Sequence, residues 1–370
     1  MKCTDADSRP RVLFLSRAFP PVVGGLERQN GELSRALGRI LPTTVLANRR
    51  GKRFLPLFLA SSLARVLILS PQVDLILLGD AVLAPLGVLL RRLTGKPVVG
   101  IAHGLDVTYP LPLYQGLWLG RRLGALEAVI AVSRQTAREC MQRGVDPKRI
   151  FVIPNGVPVP ARADAPRSAR LEWLSEEKRK GRKILLTVGR LRKRKGIAWF
   201  TEAVLPRLPS ACLYVVAGEG PESQEIEKAA LRHRLTNRLR LAGRVTEEEK
   251  SFLFSQADVF VQPNIPVPGD MEGFGIGVLE AAASGVPVVA ADLEGLRDAI
   301  HEGKNGFRVP PLNAWEFALR ITHLLEDDTF RCRAGEIARS YTCKRFQWDR
   351  IARRYASVLS RVYSTAGTGT

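Results

Sequence analysis

"GDMEGFGIGVLEAAASGVPVVAAD", residues 269–292, joins a glycine-rich turn to an apolar helix and then to an apolar strand. Gly273 and Gly275 bracket Phe274 just before the helical run "IGVLEAAAS", and "PVVAA" follows without polar alternation. A continuous apolar strand beside a helix is the signature of a parallel sheet covered on both faces. The stretch also places two glutamates eight positions apart (280 − 272), Glu272 in the turn and Glu280 on the helix. Glycines let a backbone approach a ligand closely, and a helix start presents unpaired amides to a phosphate. Glu280 lies among Val278, Leu279, Ala281 and Ala282. A carboxylate there needs a partner, because burying it alone is costly. Ligand hydroxyls or a buried ion pair with an arginine would each serve.

The same alternation extends to both ends of the chain. Upstream, "KILLTVG", "CLYVVAG", "LRLAG" and "DVFVQP" read as strands separated by helices. Before them "NGVPVPARADAPRSAR" has no period and marks a linker region over about 155–180. Further upstream "RVLFLS", "TTVLA", "VDLILL", "PVVGIA", "LEAVIAVS" and "RIFVIP" form a first strand series, with a helix expected from Ser133 as N-cap. Helices near 313–325, 329–341 and 346–363 close the chain, and the final "STAGTGT" is expected to fray. The fold expected is α/β, with two doubly wound domains and a cleft between them.

Composition narrows the function classes. The 370 residues suit two or three domains, and 45% hydrophobic content suffices for two cores. The net charge of +20 attracts polyanions: nucleic acid, acidic lipid headgroups or phosphorylated small molecules. No recognised nucleic-acid motif or aromatic-interleaved basic stripe is present, so nucleic acid is not expected as a partner. Five scattered cysteines without a CxxC pair argue against a disulfide framework or zinc site and fit a reducing cytosol. The polar start "MKCTDADSRPR" does not read as a signal peptide. "FLPLFLASSLARVLILS" and "LILLGDAVLAPLGVLL" are interrupted by Pro56, Arg65, Asp80 and Pro85, so neither reads as a membrane span. A basic and apolar segment, "RRGKRFLPLFLASSLAR" (49–65), reads either as a surface that rests on an anionic membrane or as a buried helix with a charged lead-in.

Ligands of open parallel sheets bind at the carboxyl ends of the strands. After the first strand, "SRAFPPVVGGLE" carries Gly24 and Gly25 before a helix; this is not GxGxxG, which disfavours a nicotinamide dinucleotide. After "PVVGIA" comes His103 in "HGLD", either a functional or a capping histidine. After "KILLTVG" comes "RLRKRKG", where Arg190 and Lys195 suit a diphosphate: arginine offers a planar fork, lysine a compact charge.

In order, "VVGGLE", "HGLD", "IPNGV", "GRLRKRKG", "AGEGP" and "EGFGIGVLEAAASGVPVVA" resemble the retaining, nucleotide-sugar-dependent glycosyltransferases of family 4, which have the GT-B fold of two Rossmann-like domains facing a central cleft. The resemblance implies an acceptor-side domain over 1–165, onto which a helix at 346–366 packs back, and a nucleotide-sugar-binding domain over 180–345. It implies that Arg190 and Lys195 neutralise the diphosphate. Amides around Gly275 and Ile276 would help to hold it or the sugar, and Glu280 would take the ribose hydroxyls. Glu272 and His103 would lie at the transferred sugar, and Gly24 and Gly25 would close over the phosphates. No cofactor is expected, and no metal either, since no DxD signature lies in the expected context. The implied partners are a UDP- or GDP-hexose and a glycan or lipid-linked acceptor, with an anionic membrane surface as a candidate. The expected location is cytoplasmic, on the inner face of the plasma membrane if peripheral. Other GT-B sugar enzymes, a nucleotide-sugar epimerase or a sugar-phosphate synthase, remain as alternatives. Gly277 within the motif helix and the short segment between "TTVLA" and "VDLILL" depart from the pattern. The second departure suggests a missing peripheral element in the first domain.

Overall fold

A computed structural model describes residues 9–160 and 168–367. Part of the linker region, the first eight residues with Cys3, and the last three of "STAGTGT" lie outside the described residues. The chain divides into two compact units, Met1–Gly156 with Phe346–Thr370, and Val157–Arg345.

The first unit is built on six parallel strands: β1 (Val12–Ser16), β2 (Thr43–Ala47), β3 (Leu75–Leu78), β4 (Val98–Ala102), β5 (Ala128–Ala131) and β6 (Ile150–Val152). Their order is β2-β1-β3-β4-β5-β6. β1, β3, β4 and β5 are buried at every position, which is what uninterrupted apolar runs require when helices cover both faces. After β2 a single helix, Leu55–Leu69, leads to β3 on the far side of β1, so β2 remains an edge strand. Among the described residues no strand lies outside β2 in this sheet, which is the peripheral element that the short segment left out. Ser133 caps its helix as expected, its Oγ accepting from the Thr136 amide at 3.0 Å.

The last helix, Trp348–Gly367, belongs to this first unit. Its Trp348, Ile351, Tyr355 and Leu359 are buried. Gly156 gives the Trp348 ring its room, since a Cβ there would sit 2.4 Å from the ring. Arg39 pairs with Asp349 at 2.7 Å. The helix runs through Ser364 and Thr365 to Gly367, so most of the tail expected to fray is helical.

The second unit has β7 (Lys183–Val188), β8 (Cys212–Ala217), β9 (Leu239–Gly243), β10 (Val259–Gln262), β11 (Val288–Ala291) and β12 (Phe307–Val309). Their order, β12-β11-β10-β7-β8-β9, is that of a dinucleotide-binding fold. Thr246 and Glu249 form a capping box at the start of helix Glu247–Gln256, each side chain bonding the other's backbone amide. The chain order reverses between β7 and β10, which pair directly. That junction is where the loops after two adjacent strands diverge and leave a crevice.

Candidate functional site

The loops after β7 and β10 carry the charged cluster of the second unit. After β7 the chain turns through Gly189 and a short helical turn, Lys193–Lys195, to Gly196. Gly196 sits at φ 64°, and a Cβ there would lie 2.0 Å from the Pro263 carbonyl oxygen. Only glycine lets the two loops touch. That approach brings Lys195 to Glu272: Nζ donates to Oε2 at 2.5 Å, and both side chains are nearly buried. Asn264 Nδ2 donates to the same oxygen at 3.3 Å. Arg194 Nε lies 3.5 Å from it, while Arg194 Nη1 donates to Asp270 at 2.6 Å.

Burial pushes the Glu272 carboxyl up, but Lys195, Arg194 and the Asn264 amide outweigh it and hold the pKa at about 2. Glu272 is therefore an ionised acceptor at any working pH. Its partners all fall on Oε2. Three buried polar atoms in the same crevice, Arg194 Nε, Gln262 Nε2 and Asn264 Oδ1, have no hydrogen-bond partner among the described residues. Native interiors rarely leave such atoms unpaired, and a polar ligand or water would satisfy them.

Gly275 begins helix Ile276–Ala283 at φ 86°, and a Cβ there would meet Leu296 at 2.4 Å. Among the described residues no side chain caps that helix start. Ile276 is half-buried just inside it. Gly277 keeps the helix close to the sheet: a Cβ would touch Phe260 and the Val188 carbonyl at 3.4 Å.

Two expected residues have surroundings that the sequence did not show. Arg190 is exposed and makes no hydrogen bond or ion pair with any described residue. The cation that joins Lys195 at Glu272 is Arg194. Glu280 is half-buried and paired at 2.7 Å with Lys250, which also reaches Glu247 at 3.0 Å. A lysine from helix Glu247–Gln256 thus supplies a partner of the kind that burial demanded.

Gly24, Gly25 and His103 lie in the first unit. Gly24 is extended and precedes helix Gly25–Leu37, where the Glu27 carboxylate folds back to within 2.1 Å of the place a Gly24 Cβ would take. His103 follows β4; its Nε2 lies 3.0 Å from the Gly79 carbonyl, and its amide donates to Asp106 at 2.8 Å. Next to it Arg17, after β1, pairs at 2.9 Å with the fully buried Asp80, after β3. Burial pushes the Asp80 carboxyl up, and Arg17 pulls it back. His103, Arg17 and Asp80 thus converge on the carboxyl ends of β1, β3 and β4.

The family described as Glycosyl transferases group 1 matches residues 172–341, and Glycosyltransferase Family 4 matches residues 22–159. The phosphatidyl-myo-inositol mannosyltransferase of Mycobacterium tuberculosis is 32% identical over 298 residues, covering 77% of this chain and 72% of that one. The chain belongs to glycosyltransferase family 4. The M. tuberculosis glycogen synthase is 31% identical over 245 residues, 65% of this chain. The chain spans about half the length of the first curated relatives it matches, 55% for that synthase. Among solved structures, Anabaena HepE in complex with UDP superposes with a TM-score of 0.73 at 21% identity, covering 95% of this chain and 100% of that one. Two Rossmann-like units of this topology are the GT-B fold.

In this family 4 chain, sequence reasoning missed five residues that the fold brings to the strand ends. Arg194 and Asp270 were hidden because the basic run "RKRK" offers no local clue to which cation turns inward. Arg17 and Asp80 are 63 residues apart and meet only through the pairing of β1 with β3. Glu294, in the loop after β11, gave one signal that could have been used: a charged residue directly before a glycine at a strand end.

Proposed function

We propose that this chain transfers a hexose from a UDP- or GDP-sugar to an acceptor hydroxyl, with retention of anomeric configuration and without a metal ion. The observation that carries this reading is the buried Lys195–Glu272 ion pair at the junction of β7 and β10. Breaking a sugar–diphosphate bond builds negative charge on the leaving diphosphate and positive charge on the sugar. Lys195, Arg190 and the uncapped amides at the start of helix Ile276–Ala283 offer fixed positive charge for the first. The ionised Glu272 offers an acceptor for a hydroxyl of the second. Glu280 would exchange its Lys250 contact for ribose hydroxyls.

The donor class is supported by HepE, which was solved with UDP and with UDP-glucose. A lipid-linked acceptor is supported by the phosphatidyl-myo-inositol mannosyltransferase among the relatives. It is supported too by the surface of the first unit. The stretch Lys52–Gln72 is long and apolar enough to cross a membrane by length and composition, and only 17% of its window is buried. Leu57 and Ile68 are 64% and 72% exposed on it, beside Arg49, Arg50 and Arg53. We read it as a surface that rests on anionic lipid at the inner face of the plasma membrane.

The test is transfer itself. Purified protein with UDP- and GDP-hexoses, an acceptor lipid extract and excess EDTA should release nucleoside diphosphate and glycosylate the acceptor. Glu272→Ala should abolish transfer while leaving nucleotide affinity nearly intact, and Arg190→Ala should weaken both. Epimerised nucleotide sugar without transfer, or turnover only with a divalent cation, would overturn the reading.

A further inference from the structure

Glu294 belongs to no part of the reaction described above, yet it is tied to Glu272. Its Oε2 accepts a hydrogen bond from the Glu272 amide at 2.6 Å. The next residue, Gly295, donates its own amide to the Glu272 carbonyl at 3.1 Å. Both backbone polar groups of Glu272 are therefore held by two consecutive residues of the loop after β11. The approach is as close as backbones allow, since a Cβ on Gly295 would lie 2.1 Å from the Gly273 carbonyl oxygen. Glu294 itself sits at φ 47°, a left-handed conformation that a glutamate adopts only under constraint. A glycine would occupy that position without strain. Retaining a strained, half-buried carboxylate is explained if its hydrogen bond to the Glu272 amide has a use.

We propose that Glu294 is a positioning residue, which aims the Glu272 carboxylate by clamping the Glu272 peptide and takes up a proton when a nucleoside diphosphate binds beside it. The proposal rests on the reading of Glu272 and Lys195 as the donor site. The charges around Glu294 are mixed. Glu272 and Asp270 from the loop after β10 are acidic, Arg194 from the loop after β7 is basic, and Asp292 and Arg297 flank it on its own loop. Burial pushes the Glu294 carboxyl up, the Glu272 amide and Arg194 pull it down, Glu272 and Asp270 push it up again, and it titrates at about 7. A diphosphate adds negative charge to this set, which favours the neutral acid further. By linkage, affinity must then fall as pH rises above 7, by up to about tenfold per unit, because each binding event has to bring a proton with it. The neutral acid still accepts the Glu272 amide through its carbonyl oxygen, so clamp and proton are compatible.

Two variants and a spectroscopic readout test this. Glu294→Gly relieves the backbone strain and removes the acceptor. It should fold with an undiminished thermal transition and lose on the order of tenfold to a hundredfold in kcat, with a smaller change in KM. Glu294→Gln keeps an acceptor and cannot ionise. It should restore most of kcat, and its UDP or GDP affinity between pH 7 and 9 should stay flat where that of the natural protein declines. The phosphate's own ionisation is common to both proteins and cancels in the comparison. Without any nucleotide, the Glu272 amide proton resonance should shift with a midpoint near pH 7 in the natural protein and not in Glu294→Gln. An unchanged kcat in Glu294→Gly, or the same pH dependence in Glu294→Gln as in the natural protein, overturns the proposal. If neither UDP nor GDP binds, the donor-site reading fails, and the amide titration alone decides whether Glu294 clamps Glu272.

Discussion

A single buried oxygen, Glu272 Oε2, collects Lys195, Asn264 and the edge of Arg194. Removing one partner of a buried pair leaves an uncompensated charge, which costs about 3–5 kcal/mol, more than the pair contributes in place. Lys195→Met should therefore destabilise the second unit by about that amount in urea unfolding, and Lys195→Met with Glu272→Leu should recover much of the loss. The pH dependence has two limbs. Glu272 is depressed to about 2, so its stabilisation is present above the ordinary carboxylate range and is lost as pH falls through about 2. Glu294 is raised to about 7, so its contribution is full below the ordinary range and is lost as pH rises through about 7. Stability measured against pH should fall on both sides, and Glu294→Gln should remove only the alkaline decline. The positions of Glu272 and Lys195 were legible from the glycines around them. Their mutual pairing was not, because 77 residues separate them and local pattern carries no distance information.

Helix starts and their glycines were the most legible elements, since a glycine at a strand end followed by an apolar run has few structural meanings. At Gly196 the reason is steric: a Cβ would strike the Pro263 carbonyl, a main-chain atom that cannot move without β10. Gly196→Ala should cost about 1–3 kcal/mol or more and lower the thermal midpoint, with Ala283→Gly in the motif helix as a milder control. The stretch Lys52–Gln72 shows where pattern misled. Pro56 and Arg65 read locally as interruptions, but Pro56 sits in the first turn of helix Leu55–Leu69, where its missing amide costs nothing, and Arg65 is exposed. The run is therefore one continuous helix, and its charges do not end it. Leu57→Ser with Ile68→Ser should leave the melting temperature within about 2 °C and weaken sedimentation with anionic liposomes several-fold at low salt. Equal binding by the double variant would exclude this helix as the contact.

Each unit has its own sheet and core, so unfolding of the whole chain need not be a single transition. Because Trp348, Ile351, Tyr355 and Leu359 bury against the first unit, a chain ending at Arg345 should show a lowered first-unit transition in calorimetry, with that of the second unit unchanged. Loss of both transitions together would contradict the division. By itself, the amino-acid sequence determined the α/β class, the number of parallel strand series and the glycine-rich and charged loops at the strand ends. Those features follow from local sterics and hydrophobic period, which act over a few residues. The tertiary structure alone decided which buried charges meet: Lys195 with Glu272, Lys250 with Glu280, Arg17 with Asp80, and Glu294 with the Glu272 amide. Whether a charge is paired, exposed or shifted depends on distance and burial between segments tens of residues apart, and those quantities exist only once the sheets have assembled.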